Sequence, residues 1–325
     1  MFLSSILWFT KEFSSKAPAC FLIRGYFRFF ALPMTQSKKL LAVILLLVVS
    51  LLWGTSFKLI KEGLIAFGAW ELGALRVSFA CLFSLPFSLV YIREAKREQL
   101  WKFLLSGTIG IFFPAFLFAA AQTRVSSSLT GMLNSFTPIC TVLVGRLLFR
   151  QRFRKAAITG VMISAAGCIV LALARANGTV VVNYFALFVV VACGLYALNV
   201  NFVKFNFPDV NPVALTSVSL LLVGPAASVF LFFFTDFVPI MQTHPRAWQS
   251  LSMVALLALL STVIAHILFY RMLRISSPLF ASSTTYIMPF VAILWGIRDG
   301  ELLTSGHLMG MAFILTGVYL TTRRK

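Results

Sequence analysis

Acidic residues are scarce in this chain: Asp and Glu number 9 against 28 Lys and Arg, and there are only 3 His among 325 residues. None of the Asp or Glu falls in the middle of an apolar run, which argues against proton coupling through a buried carboxylate and leaves uniport or exchange as the simpler schemes. The cysteines Cys20, Cys81, Cys140, Cys168 and Cys193 sit singly, with no CxxC or Cys/His spacing, so no metal site is expected and each reads as a small apolar residue. A GxxxxGK[ST] loop is missing, as is any polar segment long enough to house an ATPase, so ATP-driven work and a nucleotide cofactor are excluded. The HExxH pattern is also missing and the histidines lie far apart, which leaves a membrane-embedded enzyme as a weak alternative.

What is present is apolar surface: 60% of residues are hydrophobic and 11% charged, with a mean hydropathy of +0.94. A chain this poor in polar groups cannot solvate a globule of its size, and lipid is the expected surrounding. A bilayer core needs roughly 20 apolar residues per helical span. Ten such runs are read at 40–60, 68–92, 101–123, 125–148, 156–174, 182–204, 212–236, 248–272, 276–297 and 306–322. Most of the 34 Phe are expected to face lipid.

The net charge of +19 is distributed, not pooled. Lys38 and Lys39, Arg93 to Lys102, Arg146 to Lys155, Lys204, Arg271 and Arg274, and the Arg323–Lys325 tail fall on one side of a ten-span layout, against Lys58, Lys61, Arg124, Arg175, Arg246 and Arg298 on the other. Because basic residues collect in cytoplasmic loops, both termini are expected in the cytoplasm of a multi-pass plasma (inner) membrane protein. The same dispersion makes nucleic acid a poor partner. Residues 1–37 are apolar in patches but too often charged to span, and their charges follow the apolar part where a signal peptide would have them first; a mis-set start, with Met34 the true first residue, is the preferred reading.

An internal echo organises the rest. "RVSSSL" from Arg124 returns as "RISSPL" from Arg274, 150 positions on; Pro138 answers Pro289, Gly145 answers Gly296, and Gly160/Gly167 answer Gly310/Gly317. The chain is therefore read as an extension (1–37), a first repeat of five spans (38–175) and a second of five (176–325). Five is odd, so the second repeat must enter the bilayer from the opposite side. The expected fold is all-α, ten transmembrane helices as two inverted five-helix repeats around a midplane site that can open alternately to either side.

Ten spans in two halves, Trp53-Gly54 in the first span, Arg76 in the second, the "TPICTVLVG" and "MPFVAILWG" segments and the Gx6G pairs together resemble the EamA family of the drug/metabolite transporter superfamily over 38–322. The family's Glu after the fourth and ninth spans is matched by Glu301 in the second half, while the first half has Arg150 in "LLFRQRFRK". The resemblance implies a secondary transporter of small metabolites, export favoured over uptake, without cofactor. In such proteins the last span of each half supports the repeat or a homodimer, and Gly160, Gly167, Gly310 and Gly317 are expected as its packing surfaces. A receptor or scaffold is the remaining alternative.

Residues that need a reason to be in lipid define the candidate site. Pro138 frees the carbonyl of Asn134, and Pro289 that of Thr285, which calls for a protein-buried or water-lined place and marks both prolines as hinge candidates. Asn134 and Thr285 then either face a cavity or bond a neighbouring span. Arg76 reads as a cavity-facing cation for a carboxylate or phosphate, or as a fixed partner of helix carbonyls or Glu71, with structure or gating favoured. His266 carries a coupling proton or faces a polar neighbour. Trp53, Tyr196, Asn199, Tyr270 and Tyr286 are candidates for a cavity wall, the aromatics equally for interface anchors; Lys58 and Lys61 are expected to snorkel. Tags at Ala176 and Arg324 should be reached by an impermeant reagent from opposite faces of the membrane; labelling of both from one face would refute the inverted arrangement.

Overall fold

The computed structural model describes residues 36–175 and 184–298 and positions 309, 310, 312, 313, 316, 317 and 320, and among these every regular element is helical. The expectations for Met34, Ala176, Glu301 and most of 306–322 lie outside the described residues. Chain contacts define two compact units, 1–41 and 42–325. Of the first, only the opening turns of one helix are described; the second holds the rest.

The helices are α1 (Gln36–Gly63), α2 (Ala69–Glu94), α3 (Arg97–Gln122), α4 (Ser127–Asn134), α5 (Thr137–Leu147), α6 (Lys155–Arg175), α7 (Ala186–Asn206), α8 (Pro212–Phe234), α9 (Phe237–Thr243), α10 (Ala247–Ile275), α11 (Pro278–Ser282) and α12 (Thr284–Arg298). Seven segments among the described residues are long and apolar enough to cross a bilayer: α1, α2, α3, α7, α8, α10 and the run from Pro278 to Trp295. Large hydrophobic side chains stand exposed on nearly all of them, including Leu47, Leu82, Leu187 and Phe233. An aqueous surface does not tolerate so much open apolar area, and a membrane requires it. The protein is a multi-pass membrane protein.

The repeated serine phrases turn out to be helix starts. Ser126 caps α4 by accepting from the Leu129 N–H at 3.3 Å, and Ser277 caps α11 by accepting from the Phe280 N–H at 3.2 Å. Each satisfies an end donor that hydrocarbon cannot. A second repetition was invisible in the sequence: α3 widens to a π-helix over Thr108–Phe112 and α10 over Ala258–Ile264, again starting 150 residues apart.

The predicted 125–148 span is not one kinked helix. The chain leaves α4 at Asn134 and starts α5 at Thr137, with Pro138 in the first turn of the new helix, where a missing N–H costs nothing. Pro289, by contrast, does lie inside α12. The 156–174 span corresponds to α6, whose apolar stretch is Lys155–Gly167.

Small residues set the closest packing. Gly224 on α8 lies against the Cys81 side chain of α2, Ser228 Oγ donates to Ser78 Oγ at 3.0 Å, and Ser88 Oγ donates to Ser217 O at 2.9 Å. Gly54 of α1 gives room to Val291 of α12, while Ser50 Oγ donates to Thr284 O at 3.1 Å. Gly160, Gly167, Gly310 and Gly317 are all buried, and Gly317 sits on Ser164 and on the carbonyl of Gly160. Among the described phenylalanines eight are exposed, eight buried and the others between, the buried ones being Phe57, Phe67, Phe103, Phe116, Phe118, Phe202, Phe207 and Phe269. Their rings mesh with one another, as Phe103 and Phe207 do at 4.7 Å between centroids.

Gly317→Ala would place a methyl against backbone that cannot yield. The expected cost is about 1–3 kcal/mol, visible as a lowered unfolding temperature in detergent; an unchanged temperature would show that this contact is slack.

Candidate substrate chamber

Between α1, α2, α3, α7, α10 and the broken segments α4–α5 and α11–α12 lies a small, partly open chamber. Trp53, Arg76, Asn134, Tyr196, Asn199, His266, Tyr270 and Thr285 line it. Tyr286 does not; it is wholly buried in the packing beside the chamber. Pro138 and Pro289 are buried behind the wall, not in it.

Backbone polarity at the breaks is met by hydroxyls. Thr137 Oγ1 donates to the freed Asn134 carbonyl at 2.7 Å, and Ser135 Oγ donates to the freed Thr285 carbonyl at 2.8 Å, joining α4–α5 to α12. The Asn134 side chain turns to α12 as well, with Nδ2 3.5 Å from Met288 Sδ. Asn134 and Thr285 border the chamber and also bind a neighbouring segment.

The π-helices supply the next polar layer. Trp53 Nε1 donates to Ser261 O at 2.8 Å, and Ser261 Oγ donates to Leu52 O at 3.0 Å, fixing α1 to the widened part of α10. His266 Nε2 lies 3.4 Å from Gly110 O in the widened part of α3, while Nδ1 has no hydrogen-bond partner among the described residues. Ser106 Oγ donates to Asn199 Oδ1 at 2.9 Å, and Asn199 Nδ2 donates to Tyr270 Oη at 3.0 Å, so one amide ties α3, α7 and α10 together. Gly110 makes this possible, since a Cβ there would collide with the Asn199 amide. Asn201, two residues on, belongs elsewhere: it accepts from Gln151 Nε2 at 2.9 Å and donates to Thr141 O at 3.2 Å, clamping the α5–α6 joint onto α7.

Arg76 is 5% exposed, and Nε donates to Thr262 Oγ1 at 2.8 Å. The partners expected from sequence, helix carbonyls or Glu71, are not the ones it takes. The only ion pair among the described residues joins Lys58 to Glu62 at 3.1 Å, one turn apart on α1. One side of the wall is aromatic: Trp53 and Tyr196 are nearly parallel at 6.5 Å between centroids, Phe269 tilts on Trp53 at 5.0 Å, and Phe118 stacks on Tyr196 at 5.9 Å. Sequence reasoning missed Ser56, Gly110, Thr137, Phe118 and Phe269 as wall residues, because serine, glycine and phenylalanine in apolar runs carry no signal of which way they face.

Many apolar helices around a chamber lined by aromatic, hydroxyl and amide side chains fit a membrane transporter for small molecules. The chain matches the EamA-like transporter family twice, over residues 40–173 and 183–323, and belongs to that family, within the drug/metabolite transporter superfamily. The Escherichia coli (strain K12) protein described as an uncharacterized inner membrane transporter, YedA, is 24% identical over 284 residues, covering 85% of this chain and 88% of that one. A WAT1-related protein of Arabidopsis thaliana is 28% identical over 107 residues, a match that spans only 30% of either chain. A solved crystal structure superposes with a TM-score of 0.65 at 19% identity, over 86% of this chain and 96% of that one, which establishes likeness of fold.

Gly110→Ala should displace Asn199 and cost about 1–3 kcal/mol through overpacking. Gly194→Ala, on α7 where a Cβ would meet nothing within 4 Å, should stay within about 0.5 kcal/mol of the parent. Thermal unfolding of the two purified variants checks the contrast; equal temperatures would show that the Ser106–Asn199–Tyr270 chain does not hold the wall.

Proposed function

We propose that the protein is a secondary transporter that carries a small metabolite across the inner (plasma) membrane by alternating access, with export the favoured direction. Its ten transmembrane helices form two inverted five-helix repeats, 38–175 and 176–325, with both termini in the cytoplasm. The observation that carries this reading is the Ser135 Oγ to Thr285 O bond at the chamber, between positions 150 apart. Ser78 and Ser228 pair at the same spacing on α2 and α8. These bonds join corresponding segments of the two repeats, and such contacts support two halves facing each other across the chamber. The printed description of YedA as an inner membrane transporter supports the location.

Rocking of one half against the other about the α4–α5 and α11–α12 breaks opens the chamber to each side in turn, with Pro138 in the first turn after one break and Pro289 further along α12. A homodimer would have to use faces other than Gly160 and Gly317, which are packed on each other. Purified protein in proteoliposomes should give protein-dependent counterflow with at least one class among amino acids, nucleosides, organic anions and cationic drugs. A silent panel with correctly inserted protein would sink the transporter reading.

A further inference from the structure

Arg76 is the feature that the chamber's architecture does not use up. A guanidinium has five N–H donors, and among the described residues only Nε is engaged, by Thr262. The Nη groups form no hydrogen bond there, and the residue borders the chamber. No carboxylate lines the chamber and none pairs with this arginine among the described residues. A charge removed from water without a counterion is costly, and a structural role would have been filled more stably by an apolar side chain. Both neighbours within its electrostatic reach are non-acidic: the Tyr196 hydroxyl and the His266 ring.

We infer that the chamber selects small organic monoanions, a single carboxylate on a flat aromatic or apolar body, with the carboxylate seated end-on in the Nη1/Nη2 fork of Arg76 and the body against Trp53, Tyr196 and Phe269. This deepens the transporter reading and rests on it. The charge count gives the class: one fixed cation balances one carboxylate, and a phosphate dianion would leave an uncompensated charge in a poorly solvated place. The fork gives the geometry, since a planar carboxylate accepts two parallel N–H bonds from a guanidinium. Thr262 holds Nε, so the end of the fork is the part presented. Near-parallel aromatic faces favour a planar body over a branched one.

The test uses full-length protein and four probes of one shape: phenylacetate, phenylacetamide, phenethylamine and phenyl phosphate, with acetate as the probe without a body. Binding is read by thermal shift and by quenching of tryptophan fluorescence. Phenylacetate should bind at least about ten-fold more tightly than each of the others. Arg76→Gln should abolish that preference, and Arg76→Lys should keep the charge but lose most of the advantage, since an ammonium has no fork. Thr262→Val leaves Arg76 in place but unanchored, and should narrow the preference in a folded protein even where Arg76→Gln fails to fold. Equal binding of amide or amine, or a preference untouched in both Arg76→Lys and Thr262→Val, overturns the assignment. Flux separates the two readings: transport of neutral or cationic probes alone keeps the transporter and removes the anion site, whereas Arg76-dependent binding of phenylacetate without any flux keeps the anion site and removes the transporter.

Discussion

In hydrocarbon, a backbone carbonyl with no donor costs several kcal/mol, and the interior of this protein is arranged around that constraint. Two helices are interrupted, two are widened to π-helices, and α2, α8 and α12 carry internal prolines at Pro86, Pro225 and Pro289. Each irregularity loosens carbonyls, and hydroxyl, indole or imidazole groups from a different segment meet several of them: Ser135 at Thr285 O, Trp53 at Ser261 O, His266 at Gly110 O. Irregular backbone and side-chain donors therefore collect in one place. The chamber is the region where the chain departs from ideal helix, and these cross-segment bonds keep those departures from being exposed to lipid.

The surrounding scaffold follows different rules. Where α2 meets α8, and where Gly317 meets α6, contact is made by glycine, serine and cysteine at backbone distance, so association depends on shape and short hydroxyl bonds. Elsewhere the joints are held by amides and a lysine. Asn201 clamps the α5–α6 joint, and Lys204 Nζ donates to Leu273 O at 2.8 Å and Ser276 O at 2.7 Å, gathering the end of α10 onto α7. Rigid contact along the α2–α8 and α6 seams and polar clamps at the joints leave the broken segments as the places where the backbone can bend.

Membrane residence and the echo at 150 residues were legible in the sequence because they depend on composition and order alone. So were some of the chamber's polar and aromatic residues, such as Arg76, His266, Asn199 and Trp53: a buried Arg, His, Asn or Trp in an apolar run has few other places to go. Tyr286 shows the limit of that reasoning, since an aromatic hydroxyl one position from Thr285 can point into packing and not into space. Pro138 shows another: sequence reveals that a proline interrupts helical bonding, but not whether the chain bends or restarts, which depends on whether Thr137 can take over the loose carbonyl. The π-helices had no sequence signal, because widening is decided by what α3 and α10 must reach.

The anchoring of Arg76 by Thr262 has an electrical consequence. Its positive charge stays with the protein through a cycle, so any net charge that crosses the bilayer belongs to the cargo. An anion leaving a cell whose interior is negative moves downhill by about 2.3 kcal/mol per 100 mV. For a cargo of the monoanionic class proposed above, the resting voltage would itself favour outward movement.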